Sequence, residues 1–478
     1  MVFMPPELAG IIRETPELRR AYLVGGCVRD VLLGRPPGRD FDIEVFGLDY
    51  DQLRLALGPW GRTDLVGRSF GVVKLSTGSG LNFDFTVPRK DSKVAPGHKG
   101  FRIEFDPAIT PREAAARRDF TMNALMFDPR SGEVLDFFGG AADLRQGLLR
   151  HTGPAFVEDP LRVLRGMQFA GRFDLRAAPE TAALARQIKG SYAELAVERV
   201  REEWFKWASQ GGRPSAGLRF LVDTEWIDHW PEIKALIGVP QEPEWHPEGD
   251  VFTHTGHACD ALARLPDWQA ADAESRRVYM VAVLAHDFGK PATTQTALKE
   301  GRQRIVSPGH DEAGAALAKT FLERLGVPEG MVERVVPLVR HHLFHLGALT
   351  DRAVRRLAKR LEPENIEGLC LVMTADSMGR PPRPAAQPES VKALLERSRE
   401  LNVRTLPPEP ILKGRHLIEA GLRPGREFAA ILARAYDAQL EGAFASLPGA
   451  LAWLADRADF ALPDDVKRKL RAGAEAGT

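Results

Sequence analysis

Short runs of alternating apolar and polar positions dominate the first 150 residues. Tyr22-Leu23-Val24 has the pattern of a strand ending at Gly25-Gly26, and Phe41 to Val45 and Leu81 to Val87 alternate in the same way. Asp51 to Leu57 is helical in its spacing. From about Asp159 the period lengthens: Leu161, Leu164 and Phe169 recur on one helical face, Thr181 to Ile188 forms another helix, and Glu194 to Trp207 is a long amphipathic one. Gly211-Gly212-Arg213-Pro214 breaks it. The Pro- and Glu-rich stretch Pro240 to Asp250 reads as a linker, as does Pro381 to Pro388. Helical patterns fill the space between them and resume afterwards. The expected class is α+β, a small mixed sheet followed by an all-α remainder. The expected divisions are 1–150, 151–245, 246–380 and 381–478.

The 478 residues are ample for several cores, and 44% hydrophobic with 27% charged is an ordinary globular balance. Lys+Arg and Asp+Glu are both 65, so nucleic acid, if bound, meets a local basic surface and not bulk charge. Residues 141–220 carry a modest excess of basic side chains, a local surface of the kind that a phosphate backbone would need. Cys27, Cys259 and Cys370 are isolated, with no CxxC pair, so neither a zinc knuckle nor a disulfide framework is indicated and a reducing compartment is expected. No secretory pattern opens the chain, and the longest apolar run, Val278 to Ala285, is far short of the about 20 residues a membrane span needs. A cytoplasmic location is expected.

Two stretches carry chemistry. In the first, VGGCVRDVLLGRPPGRDFDIE, a strand runs into Gly25-Gly26 and a helix follows. Paired glycines let backbone N–H groups approach a phosphate, and the helix N-terminus favours the anion. Arg29 lies in the first turns of that helix. Asp40 and Asp42 are two apart on the next strand, so their carboxylates share a face. Such a pair suits two Mg²⁺ ions clamping the attacking hydroxyl and the leaving pyrophosphate. Asp84, on the later strand LNFDFT, is a candidate third carboxylate. Arg117, Arg118 and Asp119 place guanidiniums where a nucleotide would sit, and Asn123 is in reach of a sugar. Asp159 and Arg162, three apart on an expected helix, offer an acceptor for an exocyclic amine and a donor for a ring acceptor. C and A both present that pattern, so the pair can select CTP and ATP without a template. Arg165 lies one turn further.

VGGCVRD…DFDIEVFG resembles the head motif of the class II tRNA nucleotidyltransferases, within the DNA polymerase β superfamily. RRDFTMNALMFD (117–128), DFFGGAADL (136–144), EDPLRVLR (158–165) and ERVREEWFK (198–206) follow in that family's order. The resemblance implies a nucleotidyltransferase head, a helical neck and body, tRNA as partner, and addition of the 3′-terminal CCA from CTP and ATP. CC-only or A-only addition and poly(A) synthesis share these motifs. The polar segment Lys90 to Thr110 corresponds to a flexible loop of the family, and its full length leans towards complete CCA addition.

The second stretch, 254–376, places His254, His286-Asp287, His310, His341-His342 and Asp376 on or beside apolar helices. Buried histidines with carboxylates are typical transition-metal ligands. The region resembles the HD phosphohydrolase domain, with His254, His286, Asp287 and Asp376 as its signature. His310 with His341 or His342 resembles the additional ligands of a dinuclear version, and Lys290 is a candidate phosphate contact. His257 and His345 are expected on helix surfaces. The resemblance implies a divalent transition metal and phosphoester hydrolysis. An HD phosphohydrolase whose N-terminal half only grips RNA, or a non-catalytic RNA-binding protein, would also carry these features. ILKGRHLIEAGLRPGREFAAIL resembles the tail that follows such HD domains, with His416 where many relatives have an acid. Gly414, Gly421 and Pro424-Gly425 suggest a helical corner, with Arg423 and Arg426 placed to meet tRNA.

Overall fold

The computed structural model describes residues 4–35, 41–64, 71–93, 101–299 and 301–476. Two compact units divide the chain, Met1–Lys234 and Ala235–Thr478.

The first unit contains a seven-stranded mixed sheet. Its strands are β1 (Ala21–Val24), β2 (Asp42–Val45), β3 (Gly61–Asp64), β4 (Val72–Thr77) and β5 (Asn82–Thr86); a separate hairpin, β6 (Arg89–Lys93) and β7 (Phe101–Phe105), intervenes before β8 (Met126–Phe127) and β9 (Val134–Leu135). The order across the sheet is β3-β4-β5-β2-β1-β8-β9. All pairs are antiparallel except β2 with β5, where Asp42 lies opposite Asp84. The alternation is clear: Ile43, Val45, Phe83 and Phe85 are buried, while Asp42, Glu44, Asp84 and Thr86 share the opposite face. The segment expected as a polar loop, 90–110, instead carries the β6–β7 pairing, Arg89 with Phe105 through Lys93 with Phe101.

The helical part of this unit follows the apolar period. The helix Leu161–Phe173 buries Leu161, Val163, Leu164, Met167 and Phe169, and packs against the helices Val197–Gln210 and Pro214–Asp223. The long helix starts three residues later than its pattern suggests, after a 3-10 segment over Lys189–Glu194. Trp204 meets Trp207 of its own helix edge-on at 5.3 Å and Trp230 at 5.1 Å, and Trp207 Nε1 donates to the Pro214 carbonyl at 3.0 Å, tying that helix to the next.

The second unit is helical, with one two-stranded hairpin, Gln295–Lys299 and Arg302–Val306, within a stretch read as wholly helical. The alternating burial of that hairpin is shallow, so it leaves little apolar signal. The helices Val251–Arg264, Ala273–Ala285, His310–Arg324, Glu329–His341 and Ile366–Met378 form a bundle. A further core is built from Leu417, Ile431, Leu451, Leu454, Val466 and neighbours. His416 starts the helical corner: its Nδ1 accepts from the Lys413 N–H at 3.1 Å, the capping role an acid would serve. All three cysteines are free and buried. Among the described residues no helix is long and apolar enough to cross a membrane.

Candidate nucleotidyltransferase cleft and metal centre

The cleft of the first unit is built where β1 turns into the helix Gly26–Leu32. Gly25 sits at φ +72°, a left-handed conformation that favours glycine, and a Cβ there would meet the Arg118 guanidinium at 3.0 Å. The cleft, about 370 Å³, is lined by Gly25, Gly26, Arg29, Asp42, Arg118, Asp119, Asn123, Asp159, Arg162, Arg165 and Phe169. Segments far apart in sequence therefore converge on one opening. Asp40 lies outside the described residues. Asp84 stands beside Asp42 on the adjoining strand, with Lys74 at 3.9 Å.

A buried polar chain forms one wall. Arg29 pairs with Asp30 at 2.8 Å and donates to Asn123 Oδ1 at 2.7 Å. Asn123 Nδ2 donates to Asp119 Oδ1 at 3.0 Å, and Arg165 holds Asp119 Oδ2 at 2.7 Å. Burial pushes the Asp119 pKa up, but the Arg165 charge and the Asn123 hydrogen bond prevail and hold it below the usual carboxylate range. Phe173 and Phe169 lie under Arg29, at 4.2 and 5.7 Å from its guanidinium carbon. The phenylalanines were silent in the motif reading, because they look like ordinary core positions of an amphipathic helix.

Two sequence expectations change here. Asp159 is not on the helix with Arg162: it is extended, φ −124° and ψ 101°, just before Pro160. The proline ring disfavours the helical region for the residue before it. The carboxylate still reaches the cleft, accepting from the Leu161 N–H at 3.1 Å and pairing with Arg199 at 3.3 Å. Arg162 is fixed by donating to the carbonyls of Ala155 at 2.7 Å and Arg117 at 3.2 Å. Arg117 thus supplies its backbone carbonyl, and it is Arg118 whose side chain lines the cleft, 3.4 Å from Glu44.

In the second unit, four imidazoles point Nε2 inward. His286, His310 and His342 each donate Nδ1–H to the carbonyl three residues back, Val283 at 2.6 Å, Ser307 at 2.6 Å and Val339 at 2.7 Å. His254 Nδ1 lies 2.8 Å from Glu248 Oε1. Each proton is thereby assigned to Nδ1, leaving Nε2 as a lone pair. His254 and His286 bring these atoms within 3.3 Å of each other, and so do His310 and His342. Facing lone pairs at that separation repel, and a cation between them removes the repulsion. Asp376 Oδ1 lies 3.1 Å from His254 Nε2, Asp287 Oδ2 3.2 Å from His286 Nε2 and Asp287 Oδ1 3.5 Å from His310 Nε2. These donors form two groups that share Asp287, His254-His286-Asp287 and Asp287-His310-His342, whose ligand atoms lie close enough together to hold metal. Burial, reinforced by the neighbouring His286 and His310, pulls the His342 pKa down to about 3, so it stays neutral. Gly289 lets the start of the helix His310–Arg324 come this close: a Cβ there would overlap the His310 carbonyl.

His341 is not part of this convergence. Consecutive helical residues point about 100° apart; His342 turns inward while His341 is partly buried near Arg340 and Arg360. His345, expected on a surface, is buried and lines the same 540 Å³ cleft, turned in by the 3-10 segment Phe344–Leu346. Lys290 is held by Asp287 and Gln241, each at 2.7 Å. The supposed linker 240–250 is the larger correction. It folds against the site: Val251 N–H bonds to Val239, Gln241 contacts Lys290, and His246 and Glu248 reach His254. Its proline content suppressed helix and strand patterns, while its ordering comes from polar contacts that have no sequence period.

The first cleft and the buried cluster together define a nucleotidyltransferase head joined to an HD domain. The Poly A polymerase head domain model matches residues 21–150 and the HD domain model matches 251–380. The chain belongs to the family of multifunctional CCA proteins. It is 41% identical over 373 residues to the Multifunctional CCA protein of Xanthomonas campestris pv. campestris, covering 76% of this chain and 85% of that one. The protein of the same name from Xanthomonas euvesicatoria pv. vesicatoria is 37% identical over 417 residues, 84% of this chain and 96% of that one. In fold, the chain is similar to the CCA-adding enzyme of Bacillus stearothermophilus in complex with CTP, with a TM-score of 0.59 at 22% identity over 92% of this chain and 94% of that one. It is also similar to the Thermotoga maritima CCA-adding enzyme complexed with tRNA, with a TM-score of 0.54 at 19% identity over 99% and 96%.

Proposed function

We propose that this protein adds C, C and A to the 3′ end of tRNA from CTP and ATP in the cytoplasm, and that its HD domain hydrolyses phosphoesters. The observation that carries the first part is the convergence in one cleft of the Gly25-Gly26 turn, the Asp42 carboxylate and the pair Asp159 and Arg162. The multifunctional CCA relatives agree with it.

The turn and Arg118 hold the triphosphate by backbone N–H groups and a guanidinium. Asp42 and Asp84, with Asp40, would hold Mg²⁺: the oxygen donors of Asp42 and Asp84 at neighbouring register positions suit a hard cation. When bound, Mg²⁺ would supply Lewis acidity towards the primer hydroxyl and charge neutralisation at the triphosphate. Asp159 accepts from the exocyclic amine of C or A and Arg162 donates to the ring acceptor. Arg162 is pinned by two carbonyls, so its remaining N–H groups are already aimed before the base arrives. The polar chain Arg29–Asn123–Asp119–Arg165 keeps that wall rigid.

The HD reading rests on the four Nε2 lone pairs gathered around Asp287 and Asp376. His254, His286, His310, His342 and the two carboxylates would hold divalent transition metals, which supply Lewis acidity towards a phosphoester. Arg380, paired with Asp376 at 2.7 Å, adds positive charge on the cleft wall.

Incubation with Mg²⁺, CTP and ATP, and tRNA ending at the discriminator base, at C or at CC, resolves these activities at single-nucleotide length. Ordered addition of C, C and A is expected. Extension that stops at CC, adds only A, or runs into a poly(A) tract overturns the full CCA reading. Hydrolysis of a phosphodiester by the wild type, but not by Asp287→Ala, tests the HD part.

A further inference from the structure

Three of the four inward-facing histidines donate Nδ1–H to the carbonyl three residues back: His286 and His342 to the helix that each one ends, and His310 to Ser307 just before its helix begins. His254 differs. It lies in the first turn of the helix Val251–Arg264, and its Nδ1 faces groups outside that helix. Its Nδ1 lies 2.8 Å from Glu248 Oε1 and 3.2 Å from the Gly379 carbonyl. The Glu248 carboxylate is 0% exposed and also accepts from His246 Nδ1 at 2.8 Å. Buried carboxylates are rare unless paired; here two imidazole N–H groups converge on one oxygen.

The segment carrying Glu248 is itself secured. Asp250 caps the His254 helix at the Thr253 N–H, 2.9 Å, and its other oxygen accepts from the Gly238 N–H at 2.6 Å. Gln241 spans the strap by donating to the Gly249 carbonyl at 3.2 Å. Glu242 accepts from the Ile305 N–H at 2.9 Å, tying the strap to the hairpin.

We propose that Glu248 is a positioning residue of the HD centre: through His254 Nδ1 it fixes the ring and presents Nε2 for metal, with His246 steadying the carboxylate. The strap 240–250 is then a part of the metal site and not a connector. A carboxylate accepting from a ligand histidine raises the basicity of that ligand, and removing such a partner typically costs about 10–100-fold in metal affinity. This proposal rests on the metal-centre reading above.

The test titrates the full-length protein with Co²⁺ by calorimetry, taking as the HD component whatever is lost in His286→Ala. Glu248→Ala is expected to weaken that component by about 10-fold or more. Glu248→Gln, which keeps an acceptor oxygen, is expected to fall between Glu248→Ala and the wild type. Nucleotide incorporation by the head, assayed with Mg²⁺, is expected to be unchanged in both variants, which reports an intact fold. Wild-type affinity in Glu248→Ala overturns the positioning role while leaving the metal centre standing. Equal loss in Glu248→Gln and Glu248→Ala overturns the hydrogen-bonded role. A wild type with no component sensitive to His286→Ala overturns the metal centre and this proposal together.

Discussion

The two sites hold their ligands by opposite means. In the head, Asp42 is exposed at the start of the interior strand β2 and faces an open cleft, beside side chains delivered by loops and helices far apart in sequence. In the HD centre, His254, His286 and Asp287 are each 1% exposed or less, and three of the four histidines are oriented by the backbone carbonyl three residues back. An open oxygen-lined site suits a hydrated, exchangeable Mg²⁺ that arrives with a triphosphate. A dry nitrogen-rich site suits a resident transition metal. The contrast is one of solvation: the head's Asp42 faces an open cleft, whereas the HD donors are buried.

The sharpest break of this comparison is Asp42→Ala. It should lower nucleotide incorporation by roughly 10³-fold, because charge stabilisation at the reacting phosphate is lost. Co²⁺ binding at the HD centre should be unchanged, and parallel loss of both would show that the sites are not independent. Next comes a pair of neighbours. His342→Ala should weaken HD metal binding by about 100-fold, while His341→Ala should leave it within the error of the titration. Equal effects would mean that the inward turn of His342 does not select the ligand.

Asp159→Ala and Arg162→Ala should each erode the preference for C and A over U and G by about 1–3 kcal/mol, read as incorporation ratios with all four nucleotides. A uniform fall in rate, with the preference intact, would place base selection elsewhere. The smallest effect sharpens the comparison through pH. The folded-state pKa of Asp119 is depressed, so its ion pair with Arg165 stabilises the head above the ordinary aspartate range near pH ~4 and loses that contribution as pH falls through the folded value. Asp119→Asn should therefore lower the melting temperature of the head at pH 7 and narrow its difference from wild type towards pH 3. A constant difference across that range would show that the charge contributes nothing.

Much of the head was legible because its chemistry follows short periods. Gly25-Gly26 after an apolar strand, and a carboxylate at the start of the next described strand, Asp42, are local patterns. What escaped was set by neighbours. Pro160 pushed Asp159 off the helix yet left it in the cleft. Arg118, and not Arg117, faced the cleft because the backbone turn after the helix Pro111–Ala116 decides which guanidinium points in. In the second unit the helices and their histidines were visible, but adjacent His341 and His342 could be told apart only by which way the helix face turned in the bundle. His345 was assigned to a surface because nothing local marks a 3-10 turn that carries it inward.

The strap 240–250 shows the same division most plainly. Hydrophobic period, glycine turns and the spacing of histidines and carboxylates are carried by the chain itself, since they depend on residues three or four apart. Those features determined the mixed sheet, the helical remainder and most candidate ligands. The opposition of Asp42 to Asp84, the facing Nε2 atoms and the reach of Glu248 to His254 bring together residues from separate elements. Only tertiary packing decided them, because a hydrogen bond or a shared ligand sphere forms at about 3 Å in space whatever the distance along the chain.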